Sequence, residues 1–466
     1  LAGLQTEEPN HVSLLLAAPE TRFEADTEHL LRRHWGDTRN EAVARPQGPL
    51  KGNTSPICGA KASEVLGFKY RSWQSSQPVG SGHQQRRSFS SVSTVSSFRC
   101  GDVTLSNGRI LEDAELVYEV HGKPNETNSN LVLHPTSFGA THDDLGYRIG
   151  PGSEYTLDTD KYCVVVVNML ANGVSSSPYR GYGECYKRIS GLSHWPYPSI
   201  YDNVLLQARL LEDVFGLSVI GSSDGHTGSS PLALVFGYSM GAMQAYQFAA
   251  LYPNAVQRLA VVCGAARTSP YNKVFLKSLM TALKTDAHWL EEEERFTGHP
   301  MRGLKAFGTI YAGWGLSEEF YRNEEFKQHG SFESLNHFLD DYVDGFTDLD
   351  PHNLLAMLAT WYGFELALPS EGCYGWPALG AVTSDTLLMP CSSDRYFPVT
   401  DSEQELKHLT SARSARLRPI PSTWGHRAGD PHRQGQEAQA TFIRNKVHAL
   451  LKDEDLRDHL GGHLVK

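Results

Sequence analysis

Leu232-Ala233-Leu234-Val235-Phe236-Gly237-Tyr238-Ser239-Met240-Gly241-Ala242-Met243-Gln244-Ala245-Tyr246-Gln247-Phe248-Ala249 is the stretch that decides the fold. An apolar run as long as one buried parallel strand meets Gly-x-Ser-x-Gly and passes at once into residues that favour helix. Strand, tight turn and helix in that succession predict a nucleophile elbow. Such a turn strains the serine backbone, and glycines at 237 and 241 remove the side chains that would strike the strand and the helix. Ser239 is then held outward with its hydroxyl open to a base, and the Met240 N–H at the helix start faces an oxygen turning negative beside it. Alone, Gly-x-Ser-x-Gly is a weak signal in a chain with 42 glycines, and a turn serine that merely caps a helix competes with it. The flanking strand and helix favour the elbow.

Outward from the elbow, strand and helix signals alternate. Upstream, residues 104–111 read as a hairpin closed by Asn107-Gly108, residues 114–120 as the next strand, and residues 131–134 as a third, running into the loop Pro135-Thr136-Ser137-Phe138-Gly139. Residues 162–168 are a continuous β-branched run, the pattern of a strand buried on both faces. Residues 200–215 carry helical periodicity, and a polar loop, 221–230, separates them from the elbow strand. Residues 255–263 form a further strand. Strands return at 385–391 and 415–420, and 437–452 closes the pattern as an amphipathic helix. Between them, 269–371 turns helical, charged and aromatic. That stretch predicts a helical cap inserted over the mouth of the sheet, with ordinary core as the competing reading for any one of its aromatics. The expected architecture is α/β: a mostly parallel, doubly wound sheet built from residues 99–268 and 372–466 around a cap at 269–371.

Residues 1–98 differ in kind, with few periodic apolar runs and a Ser-rich tract at 86–93. From about residue 61 to 99 the composition is rich in Arg and Ser and poor in acids, as in an organelle transit peptide; a poorly ordered leader or an imperfect gene model are the alternatives. Lys and Arg total 42 against 53 Asp and Glu, without a long block of either sign, which gives nucleic acid no electrostatic footprint. No apolar stretch has the length of a membrane span. The seven cysteines are odd in number and never spaced Cys-x-x-Cys, which points to free thiols and no zinc site. The expected compartment is therefore a reducing one, the cytoplasm, with the mitochondrion as alternative.

A serine hydroxyl becomes a nucleophile only with a base in hydrogen-bond reach, and that base needs a carboxylate to fix its tautomer. Ser239, Asp394 and His426 occur in the order Ser, acid, His, the last two on loops that follow the strands at 385–391 and 415–420. His426 is one of 20 histidines, and its place after the last strand singles it out. Asp394 is preferred to Asp430 because it follows its own strand, a turn-forming Asp being the alternative. These residues predict acyl transfer. His426 takes the Ser239 proton as the oxygen attacks an ester or thioester carbonyl, the Met240 and Thr136 N–H groups hold the oxyanion, and alcohol or water releases the acyl group.

With these residues in place, the chain resembles the homoserine O-acetyltransferase (MetX-like) family of the α/β-hydrolases over roughly residues 101–450. Residues 108–122 resemble its opening strand pair, and His134-Pro135-Thr136-Ser137 stands where it has His-Ala-Leu-Thr. Ile149-Gly150-Pro151-Gly152 and Leu157-Asp158-Thr159-Asp160-Lys161-Tyr162 are close to its Gly-Pro-Gly and Asp-Thr-Asp-Arg-Tyr block. The elbow is similar to its Gly-Gly-Ser-Met-Gly-Gly-Met-Gln, and Ser393-Asp394, Phe397-Pro398 and Gly425-His426 match its acid and base segments. The resemblance implies the α/β-hydrolase fold and an O-acyltransferase that moves an acyl group from acyl-CoA, such as acetyl-CoA, to a small hydroxylated acceptor. It implies no metal and no bound redox cofactor. The partners expected are a small-molecule acyl donor and an alcohol acceptor, with a homodimer left open.

Two departures bear on the acceptor. The family's cap motif Gly-Leu-x-x-Ala-Arg, whose arginine is expected to hold the homoserine carboxylate, stands here as Gly303-Leu304-Lys305-Ala306-Phe307-Gly308. Without that arginine a carboxylate lacks its bidentate partner, unless Arg302 or Lys305 substitutes. The family's Cys-x-Gly-Ser-Thr-Gly-Pro stretch is replaced by Ala171-Asn172-Gly173-Val174-Ser175-Ser176-Ser177-Pro178. Homoserine is therefore not the expected acceptor. A carboxylic-ester hydrolase that passes the acyl group to water, and a non-catalytic binding protein of the same fold, are the alternatives.

Overall fold

Eight strands, the inner ones rich in Val and Leu, assemble into a single sheet. The computed structural model describes residues 93–179, 192–217, 219, 232–330 and 332–453. In chain order the strands are β1 (Ser93–Thr104), β2 (Ile110–His121), β3 (Leu131–Pro135), β4 (Cys163–Val167), β5 (Leu234–Tyr238), β6 (Arg258–Val262), β7 (Asp385–Met389) and β8 (Ser414–Leu417). Their order across the sheet is β1-β2-β4-β3-β5-β6-β7-β8. β1–β2 and β2–β4 pair antiparallel; all remaining pairs are parallel. Every residue of β3, β4 and β5 is buried, as expected of strands covered on both faces.

Helices flank the sheet. α1 (Ile200–Phe215) opens at Ser199, whose side chain accepts the Asp202 N–H, and stops at Gly216 in the left-handed conformation with φ 67°. α2 (Met240–Leu251) follows β5 directly, and Met240 to Ala250 are all buried, so the elbow helix runs through the core. Between the two parts of the sheet lie α3 (Pro270–Lys284), α4 (Met301–Gly315), the short α5 (Glu318–Arg322) and α6 (Glu325–Gly330), α7 (Leu335–Thr347) and α8 (Pro351–Tyr362). Among the described residues, the β-structure in or at the edge of 269–371 is limited to the two-residue pairs Trp289–Leu290 with Arg295–Phe296 and Ala367–Leu368 with Cys373–Tyr374, and an isolated bridge between Arg267 and Glu365. α9 (Val399–His408) and α10 (Glu437–Leu451) complete the second part.

The structure moves one boundary. Residues 93–98, assigned from composition to the leader, are paired in β1, with Ser93 opposite His121 and Phe98 opposite Leu116. β1 is an edge strand that buries only Phe98 and Cys100, so its serines and threonines face outward and mimic unstructured sequence. The expectations for residues 1–92, for the loop 221–230 and for the last residues after 453 lie outside the described residues. Among the described residues, the five cysteines are free, and no helix is long and apolar enough to cross a membrane.

Candidate active site

Parallel strands deliver their C-terminal ends to one rim, where side chains from distant parts of the chain can meet. At that rim Ser239 follows β5 with φ 55° and ψ −125°, a backbone that non-glycine residues rarely adopt. Space explains the glycines around it. A Cβ on Gly237 would lie 2.3 Å from the Gly241 carbonyl, and one on Gly241 would lie 2.6 Å from the Pro135 carbonyl. The elbow therefore closes only with bare backbone at both positions.

Asp394 and His426 arrive on the loops after β7 and β8. His426 Nε2 lies 2.9 Å from Ser239 Oγ, and His426 Nδ1 lies 2.7 Å from Asp394 Oδ2. The other carboxylate oxygen, Oδ1, accepts the Tyr396 and Phe397 N–H groups at 2.9 and 3.2 Å. All three side chains are buried: Ser239 is 3 %, Asp394 6 % and His426 2 % exposed. The imidazole is boxed by aromatic rings, with centroids of Tyr396 at 4.2 Å, Tyr238 at 4.9 Å and Phe397 at 5.4 Å, and Tyr238 donates its hydroxyl to the His426 carbonyl. Rings on three sides and a carboxylate behind leave the imidazole one orientation, toward Ser239. This arrangement can pass the Ser239 proton to His426 and stabilise the resulting imidazolium.

Asp430, the competing acid, is engaged elsewhere. It accepts the Tyr147 hydroxyl, pairs with Arg148 at 2.9 Å and lies 3.3 Å from His432 Nδ1. Burial works against its charge, but His432, Arg148 and Arg427 outweigh it and hold the carboxyl well below the usual carboxylate range.

Thr136 is where the structure departs from the expected oxyanion donors. Its N–H donates to the Val167 carbonyl at 3.0 Å, continuing the β3–β4 ladder, its hydroxyl accepts the Met169 N–H at 3.0 Å, and its carbonyl accepts Gln244 Nε2 at 2.9 Å. An N–H spent on β4 does not face an oxygen beside Ser239, which follows the strand on the other side of β3. Among the described residues, the Ser137 and Phe138 N–H groups donate to nothing. The Ser137 hydroxyl donates to the Tyr238 carbonyl at 2.5 Å and Gln244 Nε2 to the Thr136 carbonyl, so this loop is tied to the elbow from two sides; Gln207 Nε2 of α1 in turn donates to Gln244 Oε1 at 2.7 Å. Gln244, missed in the sequence reading, was detectable as one of two amides, with Gln247, in an otherwise largely apolar helix. Met240 stands where expected, at the first position of α2.

The cap presents aromatic rings to this rim. Phe138 stacks on Phe307 and Tyr311 with centroids at 6.4 and 6.0 Å, and contacts Trp361 at 5.8 Å. Phe275 stacks on Tyr396 at 4.9 Å. Gly308, at the arginine's place, faces α7: its Cβ would lie 3.0 Å from Val343 Cα and 3.2 Å from the Phe346 ring. Arg302 and Lys305, the substitutes considered for that arginine, are exposed, whereas Gly308 is buried. In the segment from Ala171 to Pro178, Ser175 and Ser176 accept the Val117 and Glu115 N–H groups, and Ser177 accepts the Gly173 N–H.

Known proteins share this architecture. A family model described as the alpha/beta hydrolase fold matches residues 152–426. The chain is 33 % identical over 327 residues to the ethyl acetate hydrolase of Pseudomonas veronii, covering 70 % of this chain and 87 % of that one. It is 24 % identical over 359 residues to the homoserine O-acetyltransferase of Deferribacter desulfuricans, covering 70 % and 88 %. Among solved structures, the acetyl esterase MekB superposes with TM-score 0.66 at 30 % identity, over 77 % of this chain and 97 % of that one. Esterases and homoserine O-acetyltransferases thus both align along most of their length, and the protein is an esterase or acyltransferase by kinship. The chain belongs to the alpha/beta hydrolase fold family, in the group that joins these esterases to the homoserine O-acetyltransferases.

Proposed function

We propose that the protein is a carboxylic-ester hydrolase that acts on short, uncharged esters through an acyl-Ser239 intermediate. One observation carries this reading: the aromatic wall at the rim is built from Phe138 of the loop after β3 with Phe307, Tyr311 and Trp361 of the cap, while residue 308 is a glycine packed against α7. A carboxylate brought into that wall would be desolvated without a cationic partner, which is costly, whereas a small alkyl or acetyl group gains from the same surface. The names of the ethyl acetate hydrolase and acetyl esterase relatives support a short acyl group.

In this reading His426 removes the Ser239 proton as Oγ attacks the ester carbonyl, and Asp394 holds the Nδ1–H and stabilises the imidazolium. The Met240 N–H receives the oxyanion, together with an amide of the Ser137–Phe138 loop in place of Thr136; each donor is worth about 3 kcal/mol of barrier. His426 returns its proton to the departing alcohol. It then deprotonates the water that releases the acid. Neither a metal nor a bound redox cofactor is called on.

The second reading, acyl transfer from acyl-CoA to an alcohol, is favoured by the kinship with homoserine O-acetyltransferases. Incubating the full chain with p-nitrophenyl acetate or ethyl acetate, with and without homoserine and simple alcohols, and with acetyl-CoA in place of the ester, separates the two. Acetate release that is indifferent to acceptor is expected. Turnover that depends on an alcohol, yielding its O-acetyl product from acetyl-CoA, would overturn the hydrolase.

A further inference from the structure

Close to Asp394 and His426 lies a thiol that the mechanism leaves unused. Cys263 follows β6 with φ 44°, left-handed backbone that costs a non-glycine side chain energy and that glycine would adopt freely. It is fully buried. Its Sγ, a carboxylate oxygen of Asp394 and a ring nitrogen of His426 all lie within 4.8 Å of one another. The thiol also meets the histidine loop, since a Cβ on Gly429 would come within 2.7 Å of Sγ. One side chain thus meets the end of β7, the acid side chain and the base loop together.

The hydrogen-bond inventory of Asp394 says what the thiol does there. An ionised carboxylate offers about four lone-pair sites. Three of those on Asp394 are taken, by His426 Nδ1 and by the Tyr396 and Phe397 amides. The Cys263 S–H also has the Met389 carbonyl at 3.8 Å, but that oxygen already accepts the Cys263 N–H at 3.0 Å. The charged carboxylate is the stronger acceptor of the two. Resting on the reading of Asp394 as the acid of the site, we infer that Cys263 is a positioning residue whose thiol donates the fourth hydrogen bond to Asp394 and sets how strongly the carboxylate holds His426. Burial, reinforced by the Asp394 charge, pushes the thiol well above its ordinary range, so it stays protonated and remains a donor across the working pH range.

Removing this donor makes the carboxylate more basic. A more basic Asp394 stabilises the His426 imidazolium, so the acidic limb of the kcat/KM profile moves to higher pH. The informative variant is Cys263→Gly, which removes the thiol while relaxing the left-handed backbone, so that it folds without added strain. Its partner is Cys263→Ser, which keeps a donor. With p-nitrophenyl acetate, Cys263→Gly is expected to raise the acidic limb by about half a pH unit, and thereby to lower kcat/KM by about 3-fold on that limb while the plateau is kept. Cys263→Ser restores most of both. The low-field resonance of the His426 Nδ1 proton should move in Cys263→Gly and return toward wild type in Cys263→Ser. If Ser239→Ala is inactive yet both Cys263 variants keep the wild-type pH profile and proton resonance, this inference alone fails. If Ser239→Ala keeps its activity, the reading of the site falls and this inference with it.

Discussion

The elbow and the cap are built from the same kinds of residues, glycines and large apolar side chains, yet they obey different constraints. At the elbow the constraint is backbone against backbone: Gly237 faces the Gly241 carbonyl at 2.3 Å from a would-be Cβ, and Gly241 faces the Pro135 carbonyl. No partner there has room to move. In the cap the constraint is ring against ring, with Phe138, Phe307, Tyr311 and Phe346 drawn together from two helices and a loop. Rigid backbone contacts fix where the nucleophile points, whereas exchangeable rings set what fits beside it. Relatives can therefore keep one chemistry while they change substrate.

The strongest test of the elbow half is Ser239→Ala. The methyl occupies the same strained position, so the fold should hold while ester hydrolysis falls by about 10⁵- to 10⁶-fold. Turnover of p-nitrophenyl acetate alongside a thermal melt checks it. A folded variant that still turns over at more than about 1 % of the wild-type rate would separate the elbow from the chemistry.

The same contrast explains what could be read from the chain. β3, β4, α1 and the elbow came out of the sequence nearly to the residue, because an apolar run, a continuous β-branched run, helical periodicity and Gly-x-Ser-x-Gly each encode a local geometry. Asp394 and His426 were legible from their order and their place after strands, and the structure brings them to hydrogen-bond distance of each other and of Ser239. The start of β1 was missed since an edge strand shows only half of a hydrophobic pattern. Thr136 was misassigned for a different reason: which neighbouring strand an N–H addresses depends on sheet order, and a linear pattern does not carry that. Gly308 was recognised as a missing arginine, but its orientation toward α7 followed only from the packing.

Gly308→Arg sharpens the cap half of the comparison. Were the site merely a homoserine site lacking one side chain, restoring the arginine would restore the acceptor. The geometry argues otherwise, because the new side chain would start 3.0 Å from Val343 Cα and 3.2 Å from the Phe346 ring. The expected result is overpacking between α4 and α7 that costs about 1–3 kcal/mol, a fall in Tm of several degrees, and no O-acetylhomoserine. Product formation by a stable Gly308→Arg variant would show that the aromatic wall yields where we place its rigidity.

The elbow half also has a weak point that titrates. Glu405 of α9 is fully buried, its carboxyl accepting the Tyr246 hydroxyl of the elbow helix at 2.9 Å and the Ala266 N–H at 2.6 Å. Burial pushes it from an ordinary 4.5 up to about 8, against the smaller pull of those two donors. The folded protein therefore holds this proton more tightly than the unfolded chain does. Its contribution to stability is whole below about pH 4.5 and is lost as pH rises toward 8, with a slope of up to about 1.4 kcal/mol per pH unit. Glu405→Gln carries a permanently neutral amide of the same shape, so its urea-unfolding free energy should decline less than that of wild type between pH 5 and pH 8. Working above pH 5 keeps Asp430 out of the comparison: its lowered carboxyl contributes stability that is lost only as pH falls below the ordinary carboxylate range. Parallel pH profiles for the two proteins would mean that Glu405 is already ionised in the fold, and that the elbow helix is anchored by a charge rather than by a proton.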